Sequence, residues 1–189
     1  MSTKHILLTG EPKSGKSYLL QRLINSFSKN NKIKMKGIIS SELQFNGIRV
    51  GIKIKNINKE LEKLMAIKIF KNKKYNGKNN KHIGSYQVDV NALEQIALPV
   101  FNDIRGCNLL IIDEIGKMEL FSKKFEKQIK QLFSKKQKLL ILAIVPISND
   151  IPLVKKLKEK KDTEVFQLSK ENRKGIYQKI RRRVLKFVE

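Results

Sequence analysis

The segment that most restricts the fold of this chain is a glycine-rich stretch near its N-terminus. It fits the spacing G-x-x-x-x-G-K-[ST] of a phosphate-binding loop, and its residues are Gly10, Glu11, Pro12, Lys13, Ser14, Gly15, Lys16 and Ser17. The apolar run 6–8 predicts a buried strand before the loop, and apolar residues at helical spacing in 18–27 predict a helix after it. Because such a loop connects a strand to a helix, the sequence predicts an α/β fold.

The residue types in this stretch suit the binding of nucleotide phosphates. Gly10 and Gly15 allow backbone angles and a close approach that a side chain would prevent, so backbone N–H groups can point at phosphate oxygens. The start of the following helix adds its positive dipole end. Lys16 is predicted to place its ammonium group on the β- and γ-phosphates, and the Ser17 hydroxyl to coordinate Mg²⁺. The whole stretch is therefore predicted to bind nucleotide.

A second set of candidate residues follows the apolar run 109–112. Such a run is typical of a parallel strand that is covered on both faces, and it ends in Asp113 and Glu114. An acidic residue at the carboxyl end of such a strand lies beside the phosphate loop, where Asp113 is predicted to support Mg²⁺. Glu114 is predicted to orient and deprotonate an attacking water as a general base.

The remaining patterns predict further elements around one core, and a length of 189 residues suits a single domain. The Asn46-Gly47 pair between alternating segments predicts an antiparallel hairpin of strands 33–43 and 48–54. Further strands are predicted at 83–90, 139–145 and 164–168, and further helices at 92–98, from 119 onwards, at 153–160 and over the apolar repeat 176–188.

Polar residues mark the expected ends of these elements. Asn91 is predicted to cap the second helix, Pro99 to stop or bend it, and Ser169 to cap the last helix. The segment 56–80 has no clear pattern. Its basic, Asn-rich part, 71–81, is predicted to be an exposed and mobile loop.

Charge and hydropathy limit the expected partners and location. The formal net charge is +24, which suits a polyanionic partner, but most of the cations are lysines, whereas phosphate forks and base readers favour arginine. Nucleic acid is therefore a partner that the sequence allows but does not favour. The sequence contains no run of about 18 apolar residues, so no membrane span is predicted. The N-terminus lacks the pattern of a secretory signal, so a cytoplasmic location is expected.

Several motifs resemble those of one family, the small P-loop nucleoside-triphosphatases of archaea, bacteria and animals that include cancer-related nucleoside-triphosphatase. The widest similarity is the block Ile-Asp-Glu-Ile-Gly-Lys-Met-Glu-Leu-Phe-Ser at 112–122. Shorter similarities are Glu42 with Gly47-x-Arg49-x-Gly51, Gly84-Ser85-Tyr86-x-Val88, Leu93-Glu94 with Ala97-Leu98-Pro99, and Asn172-Arg173. Together with the phosphate loop, these motifs extend over nearly the whole chain except 56–81.

The resemblance implies a RecA-like P-loop fold, in which helices flank a mostly parallel sheet with an antiparallel hairpin excursion. It also implies Mg²⁺-dependent hydrolysis of ATP, GTP and other nucleoside triphosphates to diphosphates and phosphate, with broad base specificity. The residues that it assigns are Lys16 and Ser17 to phosphate and Mg²⁺, Asp113 to the metal, and Glu114 to the water.

Two further residues are catalytic candidates on the same resemblance. Lys117 and Arg173 would stabilise charge in the transition state, and Arg173 could instead touch the nucleotide base or pair with an acid. The chain departs from the family at three places, where a Lys usually stands at Ser85, an Arg at Gln44, and Pro-Gly in place of Pro12-Lys13. These departures concern accessory substrate contacts and leave the principal site residues intact.

Two other functions share the same phosphate loop. A nucleotide or small-molecule kinase would pass the phosphoryl group to an acceptor, for which the excursion 40–90 could supply a site or a lid. A nucleic-acid-stimulated ATPase would account for the net charge. The favoured partners remain nucleoside triphosphates, and a monomer is the expected state.

Overall fold

The computed structural model describes residues 5–69, 80–134 and 138–189. In chain order the strands are β1 (His5–Gly10), β2 (Met35–Phe45), β3 (Ile48–Asn56), β4 (Glu62–Lys68), β5 (Asn80–Ile83), β6 (Tyr86–Asp89), β7 (Leu109–Ile112), β8 (Leu140–Ile144) and β9 (Thr163–Leu168). The α-helices are α1 (Lys16–Phe27), α2 (Val90–Asn102), α3 (Lys123–Ser134), α4 (Pro152–Lys158) and α5 (Arg173–Val188), and a short 3-10 helix covers Glu119–Phe121. The described residues form two compact units, the first from 5–36, 104–116 and 138–189 and the second from 37–69, 80–103 and 117–134.

The first unit is built on a parallel sheet in the order β7-β8-β1-β9. β7 and β8 are buried along their whole length, which explains why both are continuous apolar runs. Leu7 of β1 pairs with Ala143 of β8 on one side and with Val165 of β9 on the other. Helices α1, α4 and α5 contact this sheet. Because parallel strands share a direction, the segments that follow β1, β7 and β8 all lie at one edge of the sheet.

The second unit is built on an antiparallel sheet in the order β5-β6-β4-β3-β2. The predicted hairpin is confirmed, because β2 and β3 pair around Asn46 and Gly47, whose φ angles are +48° and +73°. Positive φ at both central residues matches the twist of paired strands. Helix α2 contacts β3 and β4, and its Phe101 ring packs 5.5 Å from the Phe125 ring of α3.

Three expectations about this second unit were wrong or incomplete. Strand β4 lies within the segment 56–80, where no pattern indicated it. The single strand expected at 83–90 is two strands, β5 and β6, joined at Gly84, whose φ of +55° suits glycine. The predicted loop 71–81 lies outside the described residues at 71–79, and the prediction is wrong at Lys81, which pairs with Val88.

The helix ends also differ from the predicted ones. Asp89, not Asn91, caps α2 by accepting a 3.0 Å hydrogen bond from the Ala92 backbone. Pro99 does not stop this helix, which continues to Asn102. Asn172, rather than Ser169, is the N-cap residue of α5. No helix in the part of the chain that the structure describes is long and apolar enough to cross a membrane.

Candidate nucleotide-binding site

The predicted phosphate loop joins β1 to α1, since β1 ends at Gly10 and α1 begins at Lys16. At Gly10 φ is +151°, and a Cβ atom there would lie 2.4 Å from the Leu168 carbonyl oxygen and 2.9 Å from Ser14 Oγ. Gly10 and Leu168 are paired in the sheet, so the carbonyl belongs to a fixed neighbouring strand. This close approach of two backbones explains why the loop begins with glycine.

Gly15 ends the loop in a left-handed conformation with φ of +96°. A Cβ atom on it would lie 3.0 Å from Arg173 Nε and 3.2 Å from Arg173 Nη2. The guanidinium group therefore packs directly over the Gly15 backbone, and its Nε donates a 2.7 Å hydrogen bond to the Ser14 carbonyl oxygen. Arg173, a candidate from the resemblance, thus contacts the phosphate loop from a position 159 residues further along the chain.

Lys16 places its ammonium group against the loop itself. Its Nζ donates hydrogen bonds of 2.8 Å to the Gly10 carbonyl oxygen and 2.9 Å to the Glu11 carbonyl oxygen. Both acceptors are uncharged, so anionic phosphate oxygens would be stronger partners for this cation. Ser17, the next residue, is exposed in the first turn of α1.

The middle of the loop is a tight turn with one buried hydroxyl. The Ser14 backbone donates a 3.1 Å hydrogen bond to the Glu11 carbonyl oxygen, and Lys13 has a φ of +63°. Glu11, Pro12 and Lys13 are exposed, whereas Ser14 is buried. Ser14 Oγ has no hydrogen-bond partner among the described residues. A buried hydroxyl of this kind is available to an oxygen-rich ligand.

The acidic pair follows β7 directly, as predicted. Asp113 is buried with 4% exposure, Glu114 is half-buried, and the bond between them is a cis peptide. The next residue is fixed to the sheet, because the Ile115 backbone donates a 2.9 Å hydrogen bond to the Ile144 carbonyl oxygen of β8. β8 separates β7 from β1, so the backbones that carry the acids and the loop are two strand spacings apart, roughly 10 Å.

Asn172 holds the start of α5 at the loop, a role that the sequence did not reveal. Its Oδ1 accepts a 2.9 Å hydrogen bond from the Ser169 backbone, and its Nδ2 donates a 2.9 Å hydrogen bond to the Gln167 carbonyl oxygen. These bonds fix the connection from β9 to α5 immediately before Arg173. The Asn172-Arg173 pair was the only sequence signal for this arrangement.

A second feature that the sequence analysis missed is the loop after β8. Lys158 of α4 donates hydrogen bonds of 2.9 Å to the Ile147 carbonyl oxygen, 3.3 Å to the Ser148 carbonyl oxygen and 3.0 Å to Asn149 Oδ1. Burial lowers the pKa of Lys158, while Asp150 opposes that shift. The loop lies at the same sheet edge as the phosphate loop, and no local motif marks it.

Lys117 is the one candidate that belongs to the second unit. It is exposed, and along the chain it follows Gly116, where a segment of the first unit ends. The other candidates, from the phosphate loop to Asp113, Glu114 and Arg173, all lie in the first unit. The catalytic role of Lys117 stays a prediction.

Comparison with known proteins identifies relatives over nearly the full length. A family model described as NTPase matches residues 5–181. Nucleoside-triphosphatase THEP1 of Aquifex aeolicus (strain VF5) is 32% identical over 183 residues, which cover 93% of this chain and 96% of that protein. Cancer-related nucleoside-triphosphatase of Homo sapiens is 31% identical over 176 residues, which cover 90% of each chain.

Solved structures agree with these relatives. The crystal structure of THEP1 from the hyperthermophile Aquifex aeolicus matches with a TM-score of 0.76 at 31% identity, covering 93% of this chain and 96% of that one. The solution structure of a human cancer-related nucleoside triphosphatase matches with a TM-score of 0.76 at 30% identity, covering 94% and 95%. The predicted RecA-like P-loop α/β fold is confirmed. Among the described residues its antiparallel part contains five strands and is larger than the predicted hairpin.

Proposed function

We propose that this chain, which belongs to the NTPase family and is a nucleoside-triphosphatase, hydrolyses ATP, GTP and other nucleoside triphosphates to diphosphates and phosphate. The observation that carries the proposal is the shared sheet edge, where the Lys16 ammonium group lies in a glycine-bounded loop and Asp113 and Glu114 follow β7. A loop of this kind binds the substrate phosphates, and the acids supply the chemistry at the γ-phosphate.

The residues at this edge fit a bound Mg²⁺ ion. Mg²⁺ prefers hard oxygen ligands and usually combines one or two protein groups with phosphate oxygens and water. Ser17 offers a hydroxyl at the start of α1, and Asp113 offers a carboxylate at the end of β7. When bound, the ion neutralises charge on the β- and γ-phosphate oxygens. We assign Ser17 and Asp113 to hold it.

Glu114 is the proposed general base. Its carboxylate would accept a proton from a water whose oxygen attacks the γ-phosphorus. The bond from the γ-phosphorus to the bridging oxygen breaks, and the diphosphate leaves with that oxygen. Glu114 is half-buried whereas its neighbour Asp113 is buried, and the greater exposure of Glu114 supports giving it the task that involves water.

Charge stabilisation is the main catalytic term in this proposal. The Lys16 Nζ atom would exchange its two carbonyl acceptors for phosphate oxygens, and loop N–H groups would donate to the same phosphates. Arg173 contributes by holding the Ser14 carbonyl, with its guanidinium group close to the loop. Lys117 remains a proposed source of positive charge in the transition state.

The test is phosphate release from a panel of triphosphates with Mg²⁺, comparing wild type with Glu114→Gln and Lys16→Ala. Removal of a general base typically lowers the rate by about 10²–10⁴-fold. We expect Glu114→Gln to lower kcat by at least roughly 100-fold while it retains nucleotide binding. Lys16→Ala should weaken both binding and turnover.

The matched control is Glu159→Gln, which removes an exposed carboxylate at the end of α4 and should leave kcat unchanged. Normal hydrolysis by Glu114→Gln would show that the base is another group. Each reaction is repeated with candidate acceptor nucleotides. Diphosphate production that requires an acceptor would replace the hydrolase proposal with a kinase.

A further inference from the structure

The surface formed by α1 and α5 has a charge composition that a general bias toward lysine does not explain. The 12 residues of α1 and the 16 residues of α5 contain no Asp or Glu, and α5 alone contains seven Lys or Arg. Five of the seven arginines of the chain lie on these two helices, at 22, 173, 181, 182 and 183. Arginine is the cation best suited to forked contacts with phosphate.

Two rows of side chains run next to each other on these helices, each with a spacing of four residues. The rows are Tyr18, Arg22 and Ser26 on α1 and Arg173, Tyr177 and Arg181 on α5. The Arg22 guanidinium lies 4.7 Å from the centre of the Tyr177 ring and 6.0 Å from that of Tyr18. Arg181 Nε donates a 3.1 Å hydrogen bond to Ser26 Oγ. The contacts advance in the same direction along both helices, so the rows run parallel and start at the phosphate loop.

An open groove of about 890 Å³ continues from these rows. Its lining includes Ser26, Tyr177, Arg181, Arg182, Lys186 and Glu189. Arg181, Arg182 and Lys186 are exposed, and Glu189 is the one acidic residue among the described residues that line it. Tyr18 is 65% exposed at the other end of the surface. From Arg173 to Lys186 the helix rises about 20 Å, a length that accommodates several nucleotides.

We propose that this surface, the α1–α5 groove, binds single-stranded nucleic acid. Arg181, Arg182 and Lys186 would contact successive phosphates, while the exposed Tyr18 ring offers a face on which a base stacks. Interleaved cations and aromatic rings match the alternation of phosphates and bases in a single strand. A helix that inserts among lipids presents exposed apolar side chains, whereas the aliphatic side chain described in the groove, Leu185, is half-buried. The proposal does not depend on triphosphate hydrolysis.

The experiment measures binding of fluorescein-labelled single-stranded RNA by anisotropy between about 0.05 and 0.3 M salt, with the full chain and without nucleotide. Each phosphate contact to a single strand contributes about −0.7 to the slope of log K against log salt. The three cations Arg181, Arg182 and Lys186 therefore predict a slope of about −2. The double variant Arg181→Gln/Arg182→Gln should lower the magnitude of this slope by about 1.4. With equal affinities of wild type and variant at 1 M salt as the reference, this change in slope makes RNA binding by the variant roughly 25-fold weaker than that of wild type at 0.1 M.

The matched control is Lys155→Gln/Lys156→Gln, which removes the same charge from exposed positions on α4. This control should keep the wild-type slope within about 0.3. Equal losses in the two double variants, or no RNA binding by wild type, would overturn the proposal. Melting curves verify that both double variants fold. A second test is Arg181→Lys/Arg182→Lys, which keeps the charge but loses the guanidinium fork. This variant should bind RNA more weakly than wild type, with nearly the same slope of log K against log salt.

Stacking is tested separately at Tyr18. Tyr18→Ala should weaken RNA binding by at least about fivefold at every salt concentration, and Tyr18→Phe should retain it, because stacking needs the ring and not the hydroxyl. Equal affinities for Tyr18→Ala and wild type would exclude the stacking contact.

Parallel titrations use vesicles of anionic phospholipid. Binding to vesicles but not to RNA, with the same loss in Arg181→Gln/Arg182→Gln, would assign the groove to a membrane surface instead.

Discussion

Arg173→Gln is expected to loosen the phosphate loop and to lower the stability of the protein. The side chain donates the 2.7 Å hydrogen bond to the Ser14 carbonyl oxygen and covers the Gly15 backbone. A hydrogen bond from a charged donor contributes about 1.5–3 kcal/mol. Since Arg173 is half-buried, we expect the lower end of this range, a loss of about 1.5 kcal/mol in the free energy of unfolding. For a chain of this size the loss lowers Tm by about 3–6 °C.

The same substitution is expected to weaken nucleotide binding. In a trans peptide the C=O and N–H groups point in opposite directions, so a fixed Ser14 carbonyl also fixes the Gly15 N–H. Release of the carbonyl lets this N–H turn away from a bound phosphate. If the reorientation costs about 1 kcal/mol, the Kd for a non-hydrolysable ATP analogue rises roughly fivefold.

Calorimetric melting and isothermal titration with the ATP analogue measure the two effects. The control is Arg183→Gln on the same helix, where the Arg183 Nε atom lies 3.8 Å from a Glu164 carboxylate oxygen. Exposed ion pairs contribute at most about 1 kcal/mol, so this variant should shift Tm little and leave the Kd unchanged. Equal Tm values for the two variants, together with an unchanged Kd for Arg173→Gln, would refute the argument that Arg173 orders the loop.

Three further substitutions test the backbone and the sheet. Gly10→Ala should lower the free energy of unfolding by about 2 kcal/mol or more, as measured with urea, because the new Cβ atom would lie 2.4 Å from the Leu168 carbonyl oxygen. Gly175→Ala should raise it by about 0.5–1 kcal/mol, since the position in α5 is open and alanine favours the helix; a loss would contradict this. Burial lowers the pKa of His5, whose Nδ1 accepts a 3.2 Å hydrogen bond from the Ile141 backbone only when neutral. Protonation thus opposes folding, and the stability is present above the unfolded pKa of 6.5 and declines as the pH falls toward the lower folded pKa. His5→Asn keeps an acceptor without this titration, so its unfolding free energy should change less than that of wild type between about pH 7.5 and 5.5.

The elements that sequence reasoning predicted are those specified by neighbouring residues. The phosphate loop connects β1 to α1 because its glycines, its lysine and the flanking apolar runs all lie within about twenty residues. The hairpin of β2 and β3 follows from Asn46 and Gly47, whose positive φ angles set the turn. The buried strand β7 follows from an apolar run with no polar interruption.

The elements that it missed depend on partners elsewhere in the chain. β4 has the sequence Glu-Lys-Leu-Met-Ala-Ile-Lys, which includes good helix formers, yet it is a strand because β3 and β6 pair with its two edges. Asp89 and Asn91 are both effective capping residues, and the end of β6 decides which of them begins α2. Pro99 lies inside α2, and the helix continues past it to Asn102.

The candidate site likewise combines features specified by neighbouring residues with features that depend on distant parts of the chain. The sequence by itself determined the groups that could bind phosphate and metal, Lys16, Ser17, Asp113 and Glu114, because each belongs to a short motif with local geometry. The order β7-β8-β1, which separates the acids from the loop by two strand spacings, was decided only by the tertiary structure. The hydrogen bond from Arg173 to the Ser14 carbonyl oxygen was also decided only by the tertiary structure. Both depend on how distant segments pair in the folded protein, and local propensities do not encode the order of strands in a sheet.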